Sequence, residues 1–148
     1  MGTTVLSINP HLMTNLTYDA STDLVPIASV GEAIALIAVP SSILVKTLVE
    51  LIALEKSKPG AMSYGTAGAG SIGHISGEFL NYLACTRFAH VAYRGSAPLL
   101  TDAIGGHIPL MIDVVITALP AIQAGSLRPL AILQSLSLIH ISEPTRPY

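Results

Sequence analysis

The feature that most limits what this chain can fold into is a glycine-rich segment at residues 61–83. An apolar run at residues 61–64 leads into a loop with glycines at positions 65, 68, 70 and 73, and a helical pattern follows directly. Apolar residues recur in that pattern at the spacing of one helix face: Ile72, Ile75, Phe79, Leu80 and Leu83. The segment therefore predicts a strand, a glycine turn and a helix whose apolar stripe is buried.

The start of this predicted helix has a chemical consequence. It places the amide groups of Gly70, Ser71, Ile72 and Gly73 at the helix N-terminus. The first backbone N–H groups of a helix have no intrahelical acceptor, and the helix dipole favours a negative charge at that end. The sequence therefore predicts that an anion binds at this turn.

The rest of the chain alternates between apolar runs and helical patterns. Strands are predicted at residues 26–31, 33–39, 61–64, 88–92, 108–115 and 127–133, and helices at about 48–57, 72–83, 97–104 and 117–123. Thr47 and Glu50 have the spacing of a capping box at the start of the first of these helices. Such alternation predicts one α/β domain with a mainly parallel sheet and helices on both faces.

Composition excludes several classes of function. Charged residues make up 11% of the 148-residue chain and the formal net charge is −2, without a basic stripe, so nucleic acid is not an expected partner. The apolar run at residues 33–39 stops at Pro40, short of the ~20 residues that a membrane-spanning helix needs. The first residues, Met-Gly-Thr-Thr-Val, show no secretory signal.

Metal and disulfide chemistry are not expected either. The single cysteine, Cys85, excludes an internal disulfide and a thiolate cluster, and its apolar neighbours predict a buried core position. No grouping of histidine, aspartate and glutamate has the spacing of metal ligands. We therefore predict neither a metal site nor a cofactor.

Two enzyme readings of the glycine loop compete with simple anion binding. Gly68-x-Gly70-x-x-Gly73 matches the dinucleotide fingerprint, so an NAD(P)-binding oxidoreductase is the alternative, although residues 88–93 lack the acidic residue expected about 20 positions on. Ser71, Asp113 and His140 follow the chain order of a hydrolase triad, but no oxyanion-hole loop is recognisable. A third possibility is that the glycines serve packing alone.

Several polar residues near the predicted turns are candidates for a site. His74 would contact a ligand or support the loop by packing, and His90, within an apolar strand, is interpreted as a hydrogen-bonded core histidine. Gly95, Ser96 and the phenol of Tyr93 open a second turn into a helix and are expected to face the same cleft. The role of Arg94 stays open between the cleft and the solvent.

Asp113 interrupts an otherwise apolar strand. An unpaired buried carboxylate would cost several kcal/mol or more. Asp113 is therefore expected either at a strand end that faces the cleft, where it would accept the ammonium of a zwitterionic ligand, or in contact with a neighbouring group of amides.

An ordered set of short motifs spans residues 1 to about 132. These are Met1-Gly-Thr-Thr, Ile8-Asn-Pro-His-Leu-Met, Lys58-Pro-Gly-Ala-Met-Ser-Tyr-Gly-Thr-Ala-Gly-Ala-Gly-Ser, His90-Val-Ala-Tyr-Arg-Gly-Ser-Ala-Pro, Asp102-Ala-Ile-Gly-Gly-His-Ile and Leu119-Pro-Ala-Ile-Gln-Ala-Gly-Ser-Leu-Arg-Pro-Leu-Ala. In this order and spacing they resemble the tripartite tricarboxylate transporter receptor family, the Bug-type periplasmic solute-binding proteins.

The resemblance implies a two-lobed, type II periplasmic binding protein fold that closes on a small carboxylate and delivers it to a membrane permease, without enzymatic turnover. It implies that residues 1–26 are a remnant of the first lobe and the crossover, and that residues 27–133 are the second lobe. Residues 134–148 look like translated adapter sequence and are expected to carry no function.

The resemblance also carries over a set of ligand-binding positions. Those from the first lobe are Thr3 and Thr4; those from the second lobe are Thr66, Ala67, Gly70, Ser71, His74, Tyr93, Gly95, Ser96 and Asp113. The implied location is the periplasm.

Overall fold

The computed structural model describes residues 33–133 without a gap, together with residues 8, 10, 11, 14–19, 22–25 and 27. Strands and helices alternate through the continuous part: β1 (Ala35–Pro40), α1 (Leu48–Ser57), β2 (Ser63–Thr66), α2 (Ile72–Ala84), β3 (Ala89–Ala92), α3 (Ser96–Ile104), β4 (Leu110–Val114), α4 (Val115–Gln123) and β5 (Leu127–Leu133). The predicted strand at 26–31, apart from Ile27, and the segment 134–148 lie outside the described residues. None of the described helices is long and apolar enough to cross a bilayer.

The five strands form one sheet in the order β3-β2-β4-β1-β5. Strand β2 pairs in parallel with both β3 and β4, whereas β1 pairs antiparallel with both β4 and β5. Within residues 33–133, therefore, β2, β3, β4 and β5 share one direction and β1 opposes them. The α/β class with a mainly parallel sheet is confirmed, with the qualification that the sheet is mixed because β1 is inserted between β4 and β5.

Each face of the sheet is covered by its own apolar cluster. On one face, α3 and α4 pack through Leu99, Ala103 and Ala118 against alternate residues of β1 and β4. On the other face, Leu51 of α1 packs with Tyr64 of β2 and with the remaining residues of β1 and β4. The domain thus has the predicted three layers, helix, sheet and helix.

Helix α2 contacts the sheet through glycine as well as through Leu80, which overturns the predicted buried stripe for three of its five residues. Gly73 and Gly77 are buried, and a Cβ atom would collide with the Ile112 carbonyl at the first position and with the Tyr64 ring at the second. Phe79 is 60% exposed, and Ile75 and Leu83 are also exposed. The prediction was wrong for these residues because the close approach allowed by glycine, rather than hydrophobicity, decides which face meets the sheet.

The helix ends show one confirmed prediction and one wrong one. The Thr47 hydroxyl accepts the Glu50 amide at 3.2 Å, and the Glu50 carboxylate accepts the Lys46 amide at 2.7 Å, so the capping box forms with its return bond one residue earlier than usual. Cys85 is exposed, not buried, because α2 ends there in a left-handed residue with φ 51°.

Candidate functional site

Among the described residues, three helices begin at one edge of the sheet, by which we mean the side where the carboxyl ends of the parallel strands lie. The neighbouring parallel strands β3, β2 and β4 end at this edge, and each is followed along the chain by a helix, α3, α2 and α4 respectively. In open α/β sheets, ligands bind in the crevice outside the carboxyl ends of the strands, where helix N-termini gather. This edge is therefore the candidate site.

The two predicted turns lie side by side at this edge. The Tyr93 amide donates to the Thr66 carbonyl at 3.0 Å, and the Gly95 amide donates to the Ala67 carbonyl at 3.0 Å. These bonds continue the β2–β3 pairing beyond the strands. They fix the start of α3 beside the glycine loop, which we define as residues 66–71 and which leads into α2.

The glycine loop uses some of its own donors. Ser71 caps α2, because its hydroxyl accepts the His74 amide at 3.3 Å and donates to the Gly68 carbonyl at 2.7 Å. The Gly70 amide donates to Nδ1 of His74 at 3.1 Å, and the Ser71 amide donates to the Gly68 carbonyl at 3.2 Å. Of the four amides predicted to face an anion, two are thus engaged inside the turn.

The remaining donors belong to the first turns of α2 and α3. The amides of Ile72 and Gly73 have no acceptor among the described residues, nor do those of Ser96 and Ala97. The N-cap of α3, Gly95, makes no side-chain capping bond, and its backbone has φ 111° with no atom within 4 Å of a virtual Cβ. The start of α3 is therefore open.

Buried polar contacts support the glycine loop from below. Thr66 is fully buried, and its hydroxyl donates to the Gly68 carbonyl at 3.1 Å and lies 2.8 Å from Nε2 of His90. The His74 and His90 rings stack with centroids 4.1 Å apart and an interplanar angle of 18°. His74 thus fits the loop-supporting reading that the sequence left open, since both its ring nitrogen and its ring face have partners within the domain.

The set of site residues predicted from the sequence did not include His90. His90 is hydrogen-bonded, as interpreted from the sequence, and its partner is the Thr66 hydroxyl at the start of the glycine loop. Parallel pairing places His90 beside Tyr64 of β2, two residues before Thr66. Burial, followed by the neighbouring His74, lowers the pKa of His90, while Glu78 acts in the opposite direction.

A buried phenol lies behind the histidine pair. The Tyr64 hydroxyl donates to the Glu78 carboxylate at 2.6 Å, and its ring centroid lies 5.0 Å from that of His90. Burial raises the pKa of Tyr64 far above its ordinary value, and the hydrogen bond to Glu78 and the charge of that carboxylate add to the effect. The phenol therefore stays protonated and donates.

Two of the predicted ligand groups have partners within the domain. Asp113 is 5% exposed, and its carboxylate accepts the Val114 amide at 2.8 Å and the Thr117 hydroxyl at 3.3 Å. Among the described residues Asp113 thus contacts one amide, that of the next residue, rather than the group of amides that was one of the two expectations. The Tyr93 hydroxyl donates to Asp102 at 2.9 Å, and burial and this bond raise the pKa of Tyr93. Thr3 and Thr4 lie outside the described residues.

A separate cavity of about 340 Å³ lies at the opposite edge of the sheet, lined by Glu55, Lys56, Pro59, Cys85, Thr86 and Arg87. Its buried Glu55 carboxylate accepts the amides of Gly60 at 2.6 Å and Met62 at 3.2 Å, so it stabilises the turn after α1. In the part of the chain that the structure describes, no cluster of side chains could hold a metal ion.

Comparison with known proteins identifies similar chains. The family model for the tripartite tricarboxylate transporter family receptor matches residues 1–141. A UPF0065 protein of Bordetella bronchiseptica is 35% identical over 131 residues, which are 88% of this chain and 38% of that protein.

Solved structures agree with the sequence match. A periplasmic transporter is 32% identical with a TM-score of 0.84, over 89% of this chain and 44% of that one. An R. palustris protein solved with adipate is 32% identical with a TM-score of 0.78, over 82% of this chain and 41% of that one. The chain thus spans about two fifths of the length of these relatives.

Proposed function

This chain belongs to the tripartite tricarboxylate transporter receptor family, and we propose that it forms most of one lobe of a receptor that binds a small carboxylate between two helix N-termini. Receptors of this family bind solutes and are not a class of enzyme. The family resemblance read from the motifs is therefore confirmed, and the NAD(P)-dependent alternative is not favoured.

The observation that supports carboxylate binding is the position of the unpaired amides. Ile72 and Gly73 at the start of α2 and Ser96 and Ala97 at the start of α3 flank two turns that are hydrogen-bonded to each other. Each helix N-terminus contributes roughly 0.3–1 kcal/mol to holding a negative charge, and up to ~2 kcal/mol where the site is partly buried. Two such ends would suit the two oxygens of one carboxylate.

The adipate-bound relative supports the ligand class. That protein holds a dicarboxylic acid and shares 32% of its residues with this chain over the aligned region. We extend the class to di- and tricarboxylates, amino acids and aromatic acids, because backbone amides recognise a carboxylate without reading the rest of the molecule. The proposed ligand contacts from the other lobe are Thr3 and Thr4.

The proposal includes the organisation around the site. Residues 27–133 would be the second lobe and residues 1–26 a remnant of the first lobe and the crossover, with closure of the two lobes excluding water from the ligand. The receptor would work in the periplasm and pass its solute to membrane permease subunits.

Calorimetric titration of the 148-residue chain with a panel of carboxylates and with NAD tests the proposal. We expect binding of one or more acids, no binding of NAD and no turnover of any compound. Binding of NAD in preference to every acid would contradict the receptor function. Ester cleavage that Ser71→Ala abolishes would contradict it as well, and would point to a hydrolase.

A further inference from the structure

His90 is the residue that joins both ends of the glycine loop. From strand β3 its Nε2 atom reaches the hydroxyl of Thr66, where the loop begins, at 2.8 Å. Its ring face stacks on His74, whose Nδ1 accepts the Gly70 amide near the end of the loop. One side chain from the neighbouring strand thus contacts the loop on two sides.

The hydrogen bonds limit where the two imidazoles carry their protons. When the Thr66 hydroxyl donates to the Gly68 carbonyl at 3.1 Å, its oxygen accepts from His90, which then carries its proton on Nε2; when it donates to Nε2 at 2.8 Å, the proton of His90 is on Nδ1. The same oxygen accepts the Gly68 amide at 3.4 Å. His74 accepts at Nδ1 and, when neutral, carries its proton on Nε2.

The groups around His90 favour its neutral ring. His90 is packed against Tyr64 and Thr66 of β2 and against His74 of α2, and the Glu78 carboxylate is already bonded to Tyr64. Burial in these contacts lowers the pKa of His90, and the stacked His74 adds to this effect, while Glu78 acts in the opposite direction.

We propose that His90 is a positioning residue of the carboxylate site, which holds the glycine loop through Thr66 and His74 and so aims the free amides of α2. The proposal deepens the carboxylate-binding function and rests on it for its purpose.

Three substitutions separate the two contacts. His90→Ala removes both, His90→Gln keeps a side-chain amide that can reach Thr66, and His90→Phe keeps a ring that can stack on His74. The matched control is His107→Ala, a histidine that is exposed and lies after α3. The readout on the 148-residue chain is the protection of individual backbone amides from hydrogen exchange, with imidazole ¹⁵N shifts to report the tautomers.

At pH 7.5 we expect His90→Ala to lower the protection of the Gly68 and Gly70 amides by about three- to tenfold, the size of one hydrogen bond each. His90→Gln should keep the protection of the Gly68 amide, and His90→Phe should keep that of the Gly70 amide. His107→Ala should change the protection of neither amide. The imidazole ¹⁵N shifts should show that Nδ1 of His74 accepts a hydrogen bond and should report which nitrogen of His90 carries the proton.

The proposal is overturned if His90→Ala leaves both amides unchanged, or if it lowers the protection of core strand β4 by the same factor, since that would be a purely structural role. If His90→Ala fails to fold, the other two variants still test the proposal. His90→Gln should lower the protection of the Gly70 amide alone and His90→Phe that of the Gly68 amide alone, and equal effects of both variants on both amides would overturn it. Carboxylate affinity, measured in parallel, should fall about three- to tenfold in His90→Ala. Loop effects without any carboxylate binding would leave the positioning role standing and contradict only the proposed function.

Discussion

Removing one amide from the start of α3 is the sharpest perturbation of the proposed site. Ser96 is the first residue of α3, and its N–H has no acceptor among the described residues. Proline is well tolerated at a first helical position, because the missing N–H is unpaired there and the fixed φ suits the helix. Gly95, which precedes it, has an extended ψ of 173° that is compatible with a following proline. Ser96→Pro therefore deletes a ligand donor with little strain.

The expected magnitude follows from the charge of the ligand. A hydrogen bond to a charged group contributes roughly 1.5–3 kcal/mol, against about 0.5–1.5 kcal/mol for a neutral one. Because about 1.4 kcal/mol corresponds to a tenfold change in affinity, Ser96→Pro should weaken carboxylate binding by roughly 10- to 100-fold. Ser96→Ala, which removes only the hydroxyl, should weaken it by about tenfold or less.

Calorimetry with adipate, beside thermal unfolding of each variant, measures both effects. Unchanged unfolding with a much larger loss for proline than for alanine is the expected result. Equal affinities of Ser96→Pro and Ser96→Ala would refute the reasoning, because the backbone amide would then contribute nothing to binding.

Other predictions concern stability. Gly77→Ala should lower the free energy of unfolding by roughly 1–3 kcal/mol in urea titrations, since its methyl group would overlap the Tyr64 ring. Phe79→Ser, at a 60% exposed position, should change this free energy by less than about 0.5 kcal/mol. A larger loss for Phe79→Ser would show that the outer face of α2 is covered. The folded state lowers the pKa of His90, so the unfolded chain binds more protons as the pH falls below 6.5. The contribution of His90 to stability should therefore be complete above pH 6.5 and decrease below it. His90→Gln should flatten this part of the pH profile, and an unchanged profile would contradict the lowered pKa of His90. Because the folded state raises the pKa of Tyr64 above 10.0, stability should be complete below that pH and decrease above it. Tyr64→Phe should reduce this alkaline loss in circular dichroism measurements and leave the part that comes from Tyr93, whose pKa is also raised. Glu55→Ala should cost about 2–4 kcal/mol, because two backbone amides lose a buried carboxylate acceptor; a loss below about 1 kcal/mol would mean that water replaces it.

Local sequence patterns predicted the elements well. The bounds of α1 and β5 agree with the expected 48–57 and 127–133. Thr47 marks the start of α1, Pro59 and Gly60 follow its end, and Gly125 precedes β5. The two turns were expected to face one cleft, and they lie side by side at the carboxyl ends of β2 and β3. These features depend on residues close together in the sequence.

Contacts between distant residues could not be read in the same way. The antiparallel insertion of β1 between β4 and β5 is a property of the whole sheet. The prediction of the buried face of α2 was wrong because it counted hydrophobic side chains. Gly73 and Gly77 have none, yet they allow the closest contact between α2 and the sheet. The role of His90 depends on its register against β2, which strand periodicity alone does not give.

The candidate site shows the same division. Four consecutive amides at residues 70–73 were expected to be free, as the start of any helix would suggest. Two of them are engaged because Nδ1 of His74 and the Gly68 carbonyl turn back onto the loop, a detail of side-chain and turn geometry. The donors that remain are divided between the starts of α2 and α3, the two helix starts that the sequence singled out.

The central claim is that α2 and α3 hold one carboxylate together, and amide NMR during an adipate titration of the ¹⁵N-labelled chain tests it most directly. The account predicts that the amides of Ile72, Gly73, Ser96 and Ala97 shift together with one dissociation constant. Shifts confined to one of the two helices, or centred on Lys56 and Arg87 at the opposite edge of the sheet, would contradict it.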